Sequence, residues 1–414
     1  MKISRADVCQ RLLPIVLSQA FGLVCGIVGV RLTSHLVDPA DYGRYGIFTS
    51  LIPIGSGVIY IGLVKFLNRH WRDAADRPGL LWEVLGATIR KAPWLVAASV
   101  LGTLIAAPGH PWFFGSLLLT SAYLLSLTQL AQVALQAARE HWRDLGIAAS
   151  VSATRSLLPP LLYSFSGAGF RALLVGFFSH TLLGTLVGGW SLRRWWRQAP
   201  AQPRIRSLTP NYDGPRFVLL ALVNWTLLGL NRWLVVWFFG AETAGYFTLA
   251  GNIGLILPAM LGLIMQQFRQ PVWFEAGHAS LAQRKALLRD VDLTALLYTG
   301  LALGMTGALQ TAMPLLVGPV VNASYLPAIV FVLATGFSTM SITIGAFYHT
   351  LLLAAKRERD CSAADLSGAA CLIAGGFISA WSGLEWLKGW LVVSPVVPWL
   401  VNRTVARRAL FKSV

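Results

Sequence analysis

Three arginines and two histidines stand where the sequence is otherwise apolar. Arg155 lies in "SVSATRSLLPP", Arg232 in "NWTLLGLNRWLVVWFFG", and Arg31 near the end of the first long apolar run; the histidines are His180, in "GFFSHTLLG", and His349. An arginine is permanently charged and presents a planar fork of donors that matches a phosphate or carboxylate with two parallel hydrogen bonds. It serves as an anion ligand, not as an acid or base. No Asp or Glu falls in the middle of an apolar run, since Asp7, Asp292, Asp365 and Glu385 lie at the ends of such runs. Paired carboxylates for acid–base catalysis and any metal-ligand spacing are therefore missing from the pattern. The expected chemistry is binding without catalysis, with no cofactor and no metal. The candidate substrate-binding residues are Arg155, Arg232, Arg31, Asn231 and His180.

Two of these carry a second reading. Gly240 follows Arg232 by eight residues, about 12 Å along a helix, so Arg232 is also placed to snorkel to the membrane surface. His180 suits a pH-sensitive switch, or equally a buried neutral imidazole bonded to a neighbouring helix. Arg155 lies mid-run beside small residues and the Pro159–Pro160 pair, a pattern that predicts a broken helix lining a cavity.

The elements that position these residues follow from composition. Of 414 residues 55% are hydrophobic and only 12% charged, and the mean hydropathy is +0.61. A soluble surface of this length needs more charge, so the chain is expected to be an all-α integral membrane protein. Runs long enough to cross the hydrocarbon predict twelve spans: 12–36, 44–64, 92–108, 113–137, 145–165, 170–192, 216–239, 245–268, 293–314, 325–354, 362–381 and 386–401. The four cysteines, Cys9, Cys25, Cys361 and Cys371, lie in or beside apolar runs and are expected to be small hydrophobes.

The net charge of +17 raises nucleic acid as a partner, but the distribution of charge argues against it. Apart from Arg31, Arg44, Arg171, Lys388 and the two in-span arginines, every one of the 34 basic residues falls before the first span, after the last, or in or at the edge of an even-numbered connector. That bias predicts both termini in the cytoplasm by the positive-inside rule, with membrane lipids as partners. The outer connectors are all short, which argues against the large external domain of a membrane glycan polymerase or ligase.

The polar, Pro-rich stretch 193–215 divides the chain into expected six-helix lobes, 1–200 and 201–414. Setting Gly43 on Gly245 aligns "SHLVDPADYGRYGIF" with "WFFGAETAGYFTLAG" and brings Arg31 and Arg232 within one residue of each other. Two parallel repeats related by a pseudo-two-fold axis along the membrane normal are a transporter plan with the substrate path between halves.

At "LVDPADYGRYGIF", at "LNRWLVVWFFGAETAGYFTLA" and at the run ending "LLLAAKRERD", the sequence resembles the bacterial polysaccharide flippases. These belong to the multidrug/oligosaccharidyl-lipid/polysaccharide exporter superfamily. The resemblance touches both halves and departs at two points. The family's frequent Asp before the seventh-span arginine is Asn231 here, and the Arg before the first turn is matched by His35, with Arg31 one turn earlier. The resemblance implies an alternating-access flippase of a polyprenyl-pyrophosphate-linked oligosaccharide in the bacterial inner membrane. It adds polysaccharide polymerase or glycosyltransferases of the same pathway to the partners. Two alternatives stay open, a cation-coupled exporter of small organic molecules and a membrane glycan polymerase or ligase; a scaffold subunit is a third.

Overall fold

A computed structural model describes residues 13–71, 77–90, 93, 111–197, 215–276, 281–354, 358–393 and 396–411, and these are almost wholly helical. In chain order the helices are α1 (Leu13–Leu36), α2 (Pro39–His70), α3 (Arg77–Arg90), α4 (Pro111–Ala137), α5 (His141–Ser166) and α6 (Phe170–Arg197). Then come α7 (Pro215–Ala276), α8 (Leu281–Leu316), a 3-10 turn at Ala323–Ala328, α9 (Ile329–Ala354), α10 (Glu358–Ser382), α11 (Leu384–Val393) and α12 (Val396–Phe411). Among the described residues eight helical stretches are long and apolar enough to cross a membrane. Their outward faces carry large apolar side chains, such as Val24 at 59% exposure and Leu296 at 70%. Rows of this kind are untenable in water and ordinary in lipid. The chain is a multi-pass, all-α membrane protein.

Most expected spans coincide with helices; the expected span 92–108, Pro93 excepted, lies outside the described residues. Three differences are seen, two of them with a physical cause. The helices run past the apolar stretches into basic sequence, α2 to His70, α6 to Arg197 and α7 to Ala276, because Lys and Arg are good helix formers once outside the lipid. The stretch expected as a plain connector holds α3, a short amphipathic helix. It buries Leu80, Leu81, Val84 and Ala87 in a cluster with Trp71, Ala134, Leu135, Ile147 and Trp195. Finally, the expected span 386–401 is two helices, α11 and α12. Residues 394 and 395 between them lie outside the described residues.

The residues gather into two compact units. One holds the chain up to Leu32 and Tyr45–Trp225, the other Thr33–Arg44 and Thr226–Val414. In the first, α1 meets α5 where Gly22 faces the Ser152 hydroxyl and Gly29 faces the backbone of Ser156. α5 meets α6 where Gly176 lies against Pro159, and Gly184 against Thr128 and Val151. Small residues let helix backbones approach closely, and that close packing drives association in lipid. Across the same unit Thr128 and Thr185 hydroxyls share a 3.1 Å hydrogen bond.

The second unit packs α7, α8, α9 and α12 around Trp273, Tyr298, Phe347 and Tyr348. α7 breaks at one residue, Gly240, with φ 86° and ψ 172°, a conformation essentially confined to glycine. The segment Thr33–Arg44 docks on this unit through side chains. Ser34 Oγ donates to the Val320 carbonyl at 3.1 Å, the Tyr325 hydroxyl donates to the Val37 carbonyl at 3.1 Å, and Asn252 Nδ2 donates to the Tyr42 hydroxyl at 2.6 Å.

The residues aligned between the halves meet here. A Cβ on Gly43 would collide with the Ala241 carbonyl oxygen, and a Cβ on Gly245 with the Pro39 carbonyl oxygen. Pro39 and Gly43 occupy the positions of Ala241 and Gly245 in the alignment, so the contact is reciprocal. Each helix start supplies a small residue and, one turn later, a glycine to the other.

Candidate functional site

Arg155 sits near the middle of α5, roughly 21 Å from its first residue and 16 Å from its last at 1.5 Å per residue. Its side chain is exposed from the protein. The broken helix expected at Pro159–Pro160 does not occur, because α5 runs continuously from His141 to Ser166 with both prolines inside and buried. Lacking amide protons, these prolines cannot bond the carbonyls of Arg155 and Ser156 one turn back. Neighbouring helices cover the gap. Gly29 of α1 lies against the Ser156 carbonyl, and Gly176 of α6 lies on the backbone at Pro159. A Cα–H approach to a released carbonyl is a weak but recurrent helix–helix contact. Arg155 thus follows a serine- and threonine-rich stretch on a helix wedged between α1 and α6.

His180 of α6 is 2% exposed. Its Nδ1 is 3.1 Å from the Thr154 hydroxyl of α5, and its ring meets Phe177 edge to face at 5.4 Å. It lies within electrostatic reach of Arg155, so the structure brings Thr154, Arg155 and His180 together. The sequence pattern offered no partner for His180, since Thr154 comes from another helix. Arg31, also in the first unit, is exposed in the last turns of α1.

Asn231 and Arg232 belong to the second unit. Both are half-buried, and they precede the buried pair Trp233 and Leu234. Trp233 meets Trp237 at 5.4 Å, and Trp237 stacks on Phe377 at 6.3 Å. An aromatic layer therefore lies between Arg232 and the break at Gly240.

A charged network that sequence reasoning missed lies elsewhere in this unit. Asp292 of α8 receives Nε and Nη2 of Arg403, each at 3.1 Å, and the Tyr348 hydroxyl also donates to it. Asp290 accepts Trp273 Nε1 at 2.9 Å and pairs with Arg269 at 3.3 Å. Both acids were expected at or before a span's end, but α8 begins at Leu281, which places them inside a helix. Arg403 is 111 residues from Asp292, too far for any local pattern to announce the pair. In the first unit Asp144 is buried at the start of α5 and accepts Gln136 Nε2 at 2.9 Å. Among the described residues no three His, Cys, Asp or Glu side chains gather as a metal would require.

The chain matches no protein-family model and no curated protein. Its fold is shared with solved transporters. An outward-facing multidrug resistance MATE family transporter of the MOP superfamily superposes with a TM-score of 0.61 at 13% identity, covering 97% of this chain and 95% of that one. An inward-facing MATE transporter of the same superfamily gives 0.56 at 14% identity, covering 96% of each chain. A MOP superfamily transporter from Pyrococcus furiosus, described as having a binding pocket of reverse polarity that suggests a different function, gives 0.60 at 13% identity over 98% of this chain and 96% of that one. At these identities the likeness establishes the fold.

Proposed function

We propose that this chain is a membrane transporter working by alternating access. The observation that carries the reading is one fold shared over nearly the whole chain with transporters caught in outward- and inward-facing conformations. These neighbours are transporters and not enzymes, which favours transport over the polymerase or ligase alternative. For the cargo, their multidrug character supports the cation-coupled export of small organic molecules better than it supports glycan flipping.

A second reading, the flipping of a polyprenyl-pyrophosphate-linked oligosaccharide, is favoured by one specific observation. The charge near the middle of α5 is an arginine, Arg155, and Asp290 and Asp292 are already held by Arg269 and Arg403. The Pyrococcus neighbour is described in terms of a reversed pocket polarity, so pocket charge is a better guide to cargo within this fold than the fold itself. On this reading Arg155 meets the pyrophosphate, with Arg232, Arg31, Asn231 and His180 as further contacts. The basic bias supports a bacterial inner-membrane location with both termini cytoplasmic.

Reconstitution into proteoliposomes tests both cargoes. A proton- or sodium-gradient-driven flux of a fluorescent organic cation, unaffected by Arg155→Gln, supports the exporter. Translocation of a fluorescent polyprenyl-pyrophosphate glycan, lost in Arg155→Gln and partly kept in Arg155→Lys, supports the flippase. Movement of neither cargo counts against the transport reading. Impermeant thiol labelling of cysteines introduced at Gly318 and Ala282 tests the orientation, with only the first accessible from outside.

A further inference from the structure

At the basic end of the first unit one arginine, Arg193, stands over an aromatic ring. α4 ends at Ala137, α5 begins at His141 and α6 ends at Arg197, so alternation of direction puts these three helix ends together. The packing of α3 against Ala134, Ile147 and Trp195 adds it to the same end. Glu140 pairs with both Arg143 and Arg194. Arg193 has no carboxylate partner among the described residues. Its guanidinium carbon lies over Trp190, 4.4 Å from the ring centroid. Trp190 is 62% exposed, and Trp82 and Trp142 stand exposed at the same end.

We propose that the Trp190–Arg193 shelf is a docking surface for the phosphate of an anionic phospholipid of the surrounding bilayer. An exposed tryptophan at a span's end belongs at headgroup depth, and an arginine one turn further lies at the level of lipid phosphates. The ring holds the guanidinium by cation–π attraction, and its planar fork of donors suits bidentate contact with a phosphate. Stacking also fixes a long side chain in advance, which lowers the ordering cost of binding. The choice of a bilayer lipid as occupant rests on charge complementarity and on the exposed tryptophans around the shelf. The inference requires a membrane location only, and stands whichever cargo is carried.

Native mass spectrometry of protein released from mixed phosphatidylglycerol/phosphatidylcholine nanodiscs tests it. The wild type is expected to retain phosphatidylglycerol preferentially, and Arg193→Gln to reduce that retention several-fold. Arg193→Lys keeps the charge without the planar fork and should fall between them. Arg408→Gln removes one exposed charge from the second unit and should leave retention unchanged. Equal retention by Arg193→Gln and wild type would overturn the proposal. So would an equal loss in Arg408→Gln, which would make net charge the cause. A shelf that takes added polyprenyl phosphate in preference to phosphatidylglycerol would overturn the assignment to a bilayer lipid. Both substituted positions are exposed, and thermal stability measured alongside separates lipid loss from misfolding.

Discussion

The two helix starts that face each other in the second unit, Pro39–Gly43 and Ala241–Gly245, meet through the same contact but are reached in different ways. α2 follows a short turn in which the Asp38 carboxylate accepts the amides of Ala40 at 2.9 Å and Asp41 at 3.4 Å, with Pro39 at the first helical position. The later start follows an unbroken helix whose direction changes at Gly240 alone. One site begins its helix with a capping side chain and a proline, the other with the conformational freedom of glycine. The backbone crossing itself is held in common. The two starts thus share the surface where they touch and differ in the approach to it.

The largest effect should come from breaking the shared part. Gly43→Val and Gly245→Val each drive a side chain into a carbonyl oxygen of the opposing helix, where no flexible neighbour can yield. Overpacking of this kind costs about 1–3 kcal/mol and sometimes more. Loss of folded protein is expected in detergent thermal-shift assays for both variants. The two should also be similar in size, because the contact is reciprocal. A silent Gly245→Val beside a damaging Gly43→Val would show that the equivalence of the two starts is accidental.

Next in size is Gly240→Ala, which strikes only the second start. Holding a residue with a Cβ at φ 86°, ψ 172° costs about 1–3 kcal/mol. A Cβ there meets nothing within 4 Å, so the penalty is conformational alone. Gly251→Ala makes the comparison clean, since that glycine also has open space around it but lies within the helix proper. It should be neutral or slightly stabilising. Equal melting temperatures for Gly240→Ala and wild type would mean that the break is not imposed by glycine.

These contrasts bear on how much the sequence disclosed. Apolar runs located most spans, because these are written in consecutive residues; the aligned turns paired Gly43 with Gly245 but did not announce that the two starts touch. α3 was hidden by its surroundings, since the basic residues that flank it suggested a connector. Its Leu80, Leu81, Val84 and Ala87 nevertheless carry a helical spacing. Arg155 was identifiable as a charge deep in an apolar run. Pro159 and Pro160 misled, because the packing of Gly29 and Gly176 that tolerates them comes from α1 and α6. The Thr154–His180 bond and the Asp292–Arg403 pair were unreadable for the same reason. Each depends on which helices become neighbours, and a single sequence does not state that.

Asn252→Ala sharpens the comparison at a smaller scale. The 2.6 Å hydrogen bond from Asn252 to the Tyr42 hydroxyl has no counterpart at the aligned positions, Ala244 and Ser50. Losing it should cost about 0.5–1.5 kcal/mol. Tyr42→Phe should cost a similar amount, and the double variant should add little to either. Additive losses in a double-mutant cycle would show that the bond contributes nothing of its own.

The smallest expected effect isolates the first start. Asp38→Ala removes the acceptor for the Ala40 and Asp41 amides, and loss of an N-cap costs about 0.5–2 kcal/mol. Asp38 is exposed, so water can replace part of the bond, and the lower end of that range is expected. Asp38→Asn keeps a capping oxygen without the charge and should recover most of the stability. Asp38→Gly copies the glycine of the second start and should cost only a few tenths of a kcal/mol. If a cap and a glycine are interchangeable ways of starting the helix, the order of melting temperatures is wild type, Asn, Gly, then Ala, all within a few degrees. A drop for Asp38→Gly as large as that for Gly43→Val would mean that α2 depends on its cap as much as on its crossing. The approach to the crossing would then be a fixed part of the repeat and not a variable one.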